Sequence, residues 1–214
     1  MCASNKPVPN TGAKQSKQKK IRVFIAVTLP DQVIFWLSGI QKELKALGLP
    51  VQWTRPGNTH LTLKFLGEIP KTDVAGVCQA VEISAARFVA FEIFSKGVGV
   101  FPGVKRPRVL WTGIAGRTDL LGDLQRDLDL GLNVLGFPKN DRPFTGHLTL
   151  GRFKSGRQGH GRHPEALPDL LIEMMKQYQP KASEPFLADA VRVMKSDLTP
   201  AGPIYTTIAT ARLT

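Results

Sequence analysis

Cysteine is nearly absent from this 214-residue chain. The two present, Cys2 and Cys78, fall in no CxxC or other metal or redox spacing and have no evident pairing. That excludes a disulfide scaffold or a cysteine-zinc module, and a reducing cytoplasm fits best. No run approaches the roughly 18 consecutive apolar residues of a membrane span. The N-terminus also lacks the apolar stretch of a secretory signal. Acidic residues are scarce: 17 Asp and Glu stand against 29 Lys and Arg, a formal net charge of +12. Such an excess favours an anionic partner such as nucleic acid. Residues 1–20 hold five of the lysines (Lys6, Lys14, Lys17, Lys19, Lys20) and no acid, leaving +7 for the rest. For that share a plain solubilising tail is an equally good reading.

What is present is enough apolar material, 42% of the chain, for a substantial core. The polar stretch 1–20 cannot bury enough surface to offset its ordering entropy and is predicted to be a disordered basic tail. A globular domain is expected over 21–214. IRVFIAVTLP, from residue 21, is β-branched and closed by a proline, which predicts a buried strand. From Asp31, apolar residues at 33, 34, 37, 40, 44 and 47 predict a helix. Strands follow at VQWT and HLTLKFLGE, a helix at 72–88, strands at AFEIFSKGVGVF and RVLWTGI, and a helix at 118–136. The second HLTL strand, a helix at 164–178, and a closing antiparallel pair of one strand over FLADAVRVMKSDL and a last one at IYTTIATARL complete the chain. Trp36, Met174 and Met175 read as core.

HLTL occurs twice, at 60–63 and 147–150. The 87-residue offset is close to half of the chain after the tail, far too long for a solenoid repeat. Each copy also follows a strand and a helix. The order predicts an α+β fold of two pseudo-symmetric lobes, each an antiparallel sheet with helices packed outside, around a central cleft. In a strand His60 and Thr62 share one face while Leu61 and Leu63 share the other, and His147 and Thr149 repeat the arrangement. Leucines anchor the strand, and an imidazole and a hydroxyl project from a rigid element.

Two imidazoles around one pocket suit a reaction needing an acid and a base together, since a pKa near 6.5 lets one be protonated while the other is neutral. Phosphodiester hydrolysis is such a reaction: water loses a proton as it attacks phosphorus, and the opposite ester oxygen gains one. Thr62 and Thr149 are placed to donate to the non-bridging oxygens. A lone strand histidine is more often a surface or core residue, but duplication at half-chain spacing in a basic protein favours function.

Further candidates have two readings each. Lys64 shares parity with His60 and Thr62, so it either lines the pocket as a substrate-binding residue or extends to solvent. Arg152 has the wrong parity relative to His147 unless a bulge at Gly151 turns it inward. His160 and His163 lie in a Gly/Arg-rich loop with no third ligand for a metal. Lys105, Arg106 and Arg108 either extend an RNA track or form a solvated cluster. Phe101, Phe144 and Tyr205 are candidates to stack a terminal base, with core packing the better reading for at least two.

The chain resembles the 2H phosphoesterases, and most closely their RNA 2',3'-cyclic phosphodiesterases, formerly described as 2'-5' RNA ligases. The two HLTL motifs carry the resemblance, with RVFIAVTLP, NTHLTLKFLGE, GVGVFPGVKRPRVLWTGI, RPFTGHLTLGRF and SDLTPAGPIYTTI around them, from about residue 21 to the end. It implies opening of an RNA 2',3'-cyclic phosphate to a 2'-phosphate without metal or cofactor. His60 would protonate the departing 3' oxygen, His147 would activate water, and Arg152, whose planar fork suits the task, would bind phosphate. The partner expected is an RNA end, such as a tRNA fragment or oligonucleotide, with no membrane and no obligate protein partner. Departures are Gly146, where the family often has proline, Thr54, Arg55 and Gly57 before the first motif, and the segment 154–163.

Two other readings stay open. Ligation of a 5'-hydroxyl to the cyclic end runs the same proton transfers in reverse, although the concentration of water favours hydrolysis. A non-catalytic RNA-end binding module would use the histidines only to grip phosphate. A serine or threonine hydrolase is weaker, because no nucleophile elbow accompanies the histidines.

Overall fold

The computed structural model describes residues 19–154, 166–200 and 202–214. Most of the expected basic tail, and His160 and His163, lie outside the described residues.

The first strand, β1 (Lys20–Thr28), is buried on both faces, as its β-branched composition predicts. Val23, Ile25 and Val27 join the main core, while Phe24 and Ala26 join a second, smaller cluster with Met194 on the opposite face. Pro30 ends the strand, and α1 (Asp31–Ala46) buries Val33, Leu37, Ile40 and Leu44 at helical spacing. The chain continues through β2 (Val51–Trp53), a 3-10 turn at Pro56–Asn58, β3 (His60–Pro70), α2 (Val74–Ala85), β4 (Phe91–Phe101) and β5 (Val109–Gly116). After α3 (Thr118–Val134) come β6 (His147–Phe153), α4 (Leu167–Tyr178), β7 (Phe186–Ala188), β8 (Ala190–Thr199) and β9 (Gly202–Arg212).

All strands pair antiparallel in one sheet of order β7-β4-β5-β6-β3-β1-β8-β9, with β2 added along β6. The α+β expectation holds, and the two lobes are the two halves of this sheet. They meet at the two motif strands, where the one registered pair is Leu61 opposite Leu148. Leu61, Leu63, Leu148 and Leu150, each at 2% exposure or less, then form one core with the buried leucines of α1 and α3.

The helices cross between the halves. Gln41 of α1 donates from Nε2 to the carbonyls of Leu150 (2.9 Å) and Thr54 (2.8 Å), so the first half's helix holds the second motif strand. Asp129 of α3 takes the ammonium of Lys64 on the first motif strand. The single strand expected over FLADAVRVMKSDL is a correction. It breaks at Asp189 into β7, which pairs with β4 at one edge, and β8, which pairs with β1 in the other half. The remaining expectation, a closing antiparallel pair, is β8 with β9.

Candidate active site

The central pairing fixes the geometry of the repeated motif. With Leu61 opposite Leu148 on antiparallel strands, residue 60 falls opposite 149 and residue 62 opposite 147. Each histidine therefore faces the other motif's threonine. The leucines enter the core, leaving both His-Thr pairs half-buried on the opposite face. This is the face carrying Phe24, Ala26 and Met194.

Both rings are held in the same way. His60 Nδ1 bonds the Asn58 carbonyl at 2.9 Å, and His147 Nδ1 bonds the Thr145 carbonyl at 2.8 Å. A carbonyl only accepts, so Nδ1 carries a proton in either charge state and Nε2 is left for chemistry. Aromatic rings wall each imidazole. Phe24 stacks on His60 with centroids 4.6 Å apart, and Tyr205 meets it edge-on at 5.0 Å. In the other half Phe101 lies 5.1 Å and Trp111 6.3 Å from His147. Trp111 reaches this position because residue 99 is glycine: a Cβ there would lie 2.3 Å from the indole. Tyr205 is brought over the cleft by the start of β9, which Asn58 Nδ2 ties down through the Pro203 carbonyl at 3.0 Å.

Burial pushes the His60 imidazole below its ordinary 6.5, the Asn58 carbonyl opposes that, and the like charge of His147 adds to the lowering. The two rings stand on the same face of adjacent strands, near enough for the charge of one to act on the other. Burial raises the Tyr205 phenol, against the charges of Arg152 and Arg22. A neutral phenol thus faces His60.

Arg152 lies where a bulge at Gly151 predicts. Opposite β5, Trp111 pairs with Thr149, Leu110 with Gly151 and Val109 with Arg152, so one residue of β6 is extra and Arg152 regains the face of Thr149. Gly151 is required there: a Cβ would stand 2.4 Å from Val51 Cγ1 and 2.9 Å from the Gln52 carbonyl.

Lys64 is a correction. The first motif strand has its own bulge, where Ala26 pairs with Thr62 and Ile25 with Lys64, leaving Leu63 extra. The alternation that put Lys64 beside His60 is broken, and the side chain turns to the helix face with 3% exposure. There it pairs with Asp129 and donates to the Pro138 carbonyl at 2.7 Å, so it neither lines the pocket nor reaches solvent.

The bulge turns the next residue, Phe65, to the cleft face instead. It stands opposite Phe24, centroids 5.9 Å apart, and is 62% exposed. Phe65 was missed as a candidate, although the 87-residue offset pairs it with Arg152. Of the proposed stacking residues, Phe101 and Tyr205 wall the histidines. Phe144 lies on the far side, lining a cavity of about 560 Å³ between α3 and the segment 140–146. Gly146 packs there against Leu121 and Ile114. Lys105, Arg106 and Arg108 are exposed in the β4–β5 turn. Among the described residues no group of three or more His, Cys, Asp or Glu is placed to hold a metal. No described helix is long and apolar enough to cross a membrane.

The chain is similar to known proteins. A family described as LigT like Phosphoesterase matches residues 27–111 and 115–205. An RNA 2',3'-cyclic phosphodiesterase of Methanothermobacter thermautotrophicus is 34% identical over 194 residues, 91% of this chain and all of that protein. One of Aquifex aeolicus is 31% identical, covering 89% of this chain and 96% of its own. Among solved structures, TT0787 of Thermus thermophilus superposes with a TM-score of 0.71 at 25% identity, over 90% of this chain and 98% of that one. Apo LigT of E. coli has the same fold (TM-score 0.67, 21% identity, 91% of this chain and 98% of that one). Both HxT strands fall inside the matched segments, and the relatives are covered nearly end to end: the chain belongs to the LigT-like phosphoesterases of the 2H superfamily.

Proposed function

We propose that the protein hydrolyses 2',3'-cyclic phosphate ends of RNA to 2'-phosphates, without a metal, by proton transfers at His60 and His147. The observation that carries this reading is the matched pair of imidazoles, each with Nδ1 bound to a carbonyl and Nε2 left over, each opposite the other motif's threonine. The names of the relatives, RNA 2',3'-cyclic phosphodiesterases, support the substrate class.

In this mechanism His147 Nε2 removes a proton from water as its oxygen bonds to phosphorus. The bond from phosphorus to O3' breaks, and O3' takes the proton of His60 Nε2. Phosphate stays on O2', one proton has moved onto His147 and one off His60, and solvent exchange resets the pair. In the empty site the lowered His60 pKa favours the neutral ring. The phosphodiester anion reverses that preference, because a negative charge beside the ring stabilises imidazolium. Thr62 and Thr149 donate to the non-bridging oxygens, and the Arg152 guanidinium balances their charge. Phe65, a large exposed apolar ring beside this site, offers the terminal base a stacking surface.

The test is an oligoribonucleotide ending in 2',3'-cyclic phosphate, incubated with and without chelator. The expected product is the 2'-phosphate, at equal rates in both. Loss of turnover with chelator would remove the metal-free mechanism. Tight binding of the end with no turnover would leave the RNA-end binding module. A 2'-5' linked product on adding a 5'-hydroxyl oligomer would add the ligase direction. A reducing, cytoplasmic setting is proposed with it, since the described cysteine, Cys78, is unpaired.

A further inference from the structure

The cleft face extends beyond the motif strands onto β8 and β9, and the mechanism above leaves that extension unused. Arg192 lies on it. β8 pairs with β1 so that Met194 stands opposite Phe24 and Arg192 opposite Ala26. Met194 belongs to the cleft-side cluster and Val191 and Val193 to the core, so Arg192 projects on the cleft side. Across the sheet one row reads Thr62, Ala26, Arg192, Thr210. Only the methyl of Ala26 stands between the arginine and the catalytic strand.

Arg192 is half-buried, its guanidinium has no ion pair or hydrogen bond among the described residues, and its Nε is shielded and without a partner. Every neighbour in its row is uncharged. A guanidinium with a shielded N–H and no acceptor is relieved by an anion. Thr210, exposed directly opposite on β9, adds a hydroxyl donor to the same spot. β8 is two strands from Thr62, on the order of 10 Å, which sets Arg192 to the side of the motif strands. The reacting phosphate already has two hydroxyls and Arg152, and its next neighbour along an RNA strand is the phosphodiester before the terminal nucleotide.

We propose that Arg192, with Thr210 beside it, binds the phosphodiester that joins the terminal nucleotide to the one before it, making the enzyme selective for RNA ends over cyclic mononucleotides. This rests on the hydrolytic reading above and deepens it by fixing a second phosphate subsite.

The experiment compares a nucleoside 2',3'-cyclic phosphate with a dinucleotide ending in the same group, for the parent and for Arg192→Met. A charged hydrogen bond contributes about 1.5–3 kcal/mol, so the variant should lose roughly 10- to 100-fold in kcat/KM on the dinucleotide, mainly through KM. Its salt dependence should weaken by about 0.7 of a logarithmic unit per decade, the loss of one contact to a single strand. Turnover of the mononucleotide should stay within two-fold, which also reports a folded site. A dinucleotide with a neutral methylphosphonate linkage should lower the parent's rate as the variant does, and the variant should then lose nothing further. Equal loss on both substrates, no loss on either, or losses from variant and methylphosphonate that multiply would each overturn the assignment while leaving the reaction intact. A parent inert on both substrates would overturn the hydrolytic reading itself and this subsite with it.

Discussion

Lys64→Met separates a structural lysine from a phosphate ligand. Lys64 and Asp129 have side-chain exposures of 2% and 13%, and the lysine also donates to the Pro138 carbonyl. Removing one partner of a buried ion pair typically costs about 3–5 kcal/mol, because the other charge is left without compensation. Asp129 would keep its bond from the Asn140 amide (3.1 Å), so the low end, about 3 kcal/mol, is expected here. For a chain of this size each kcal/mol lowers Tm by about 2–4 °C, giving a fall of roughly 6–12 °C. The double variant Lys64→Met, Asp129→Leu should recover much of that loss, since no unpaired charge remains. Thermal denaturation of the four proteins in this cycle measures the coupling directly. Below the transition, KM for a cyclic phosphate end should stay within about two-fold of the parent. A tenfold rise in KM with an unchanged Tm would refute the reasoning and return Lys64 to the substrate.

His60→Ala and His147→Ala should each lower kcat by roughly 10²-fold or more, with binding of a non-hydrolysable end nearly intact by titration. His147→Gln removes a like charge, so the His60 pKa should rise toward its ordinary value in an NMR titration; no change would separate the two rings. Because folding lowers the His60 pKa, protons bind the unfolded chain first as pH drops below 6.5. That contribution is fully present above 6.5 and is lost as pH falls toward the folded value, so Tm should decline less in His60→Gln than in the parent over that window. Phe65→Ala should raise KM several-fold while Tm holds, since the ring is largely exposed. Gly151→Ala should lower Tm by forcing β2 away from β6, with circular dichroism as the check.

Much of the site was legible because a repeated word in a strand specifies its own geometry: alternation puts His and Thr on one face, and the 87-residue offset puts the copies in equivalent places. Arg152 was legible for a different reason. A glycine in a strand suggests a bulge, and Gly151 supplies one. The matching bulge in β3 falls at Leu63 and Lys64, where side chains give no such sign, so strict alternation misplaced Lys64 and hid Phe65. The break at Asp189 was invisible for a related cause. FLADAVRVMKSDL is continuous in pattern, and only the tertiary arrangement sends β7 and β8 to opposite halves.

The crossing of the two helices bears on whether the cleft can open. Gln41 is anchored to the backbone beside His147's strand, and Asp129 to a side chain on His60's strand. Each helix travels with the half of the sheet it holds, so swinging the halves apart like a clam shell would have to stretch the short links from β1 to α1 (Leu29 and Pro30) and from β5 to α3 (Arg117) and split the leucine seam. The spacing between the two imidazoles is therefore set by the sheet itself, through the pairing of the two motif strands.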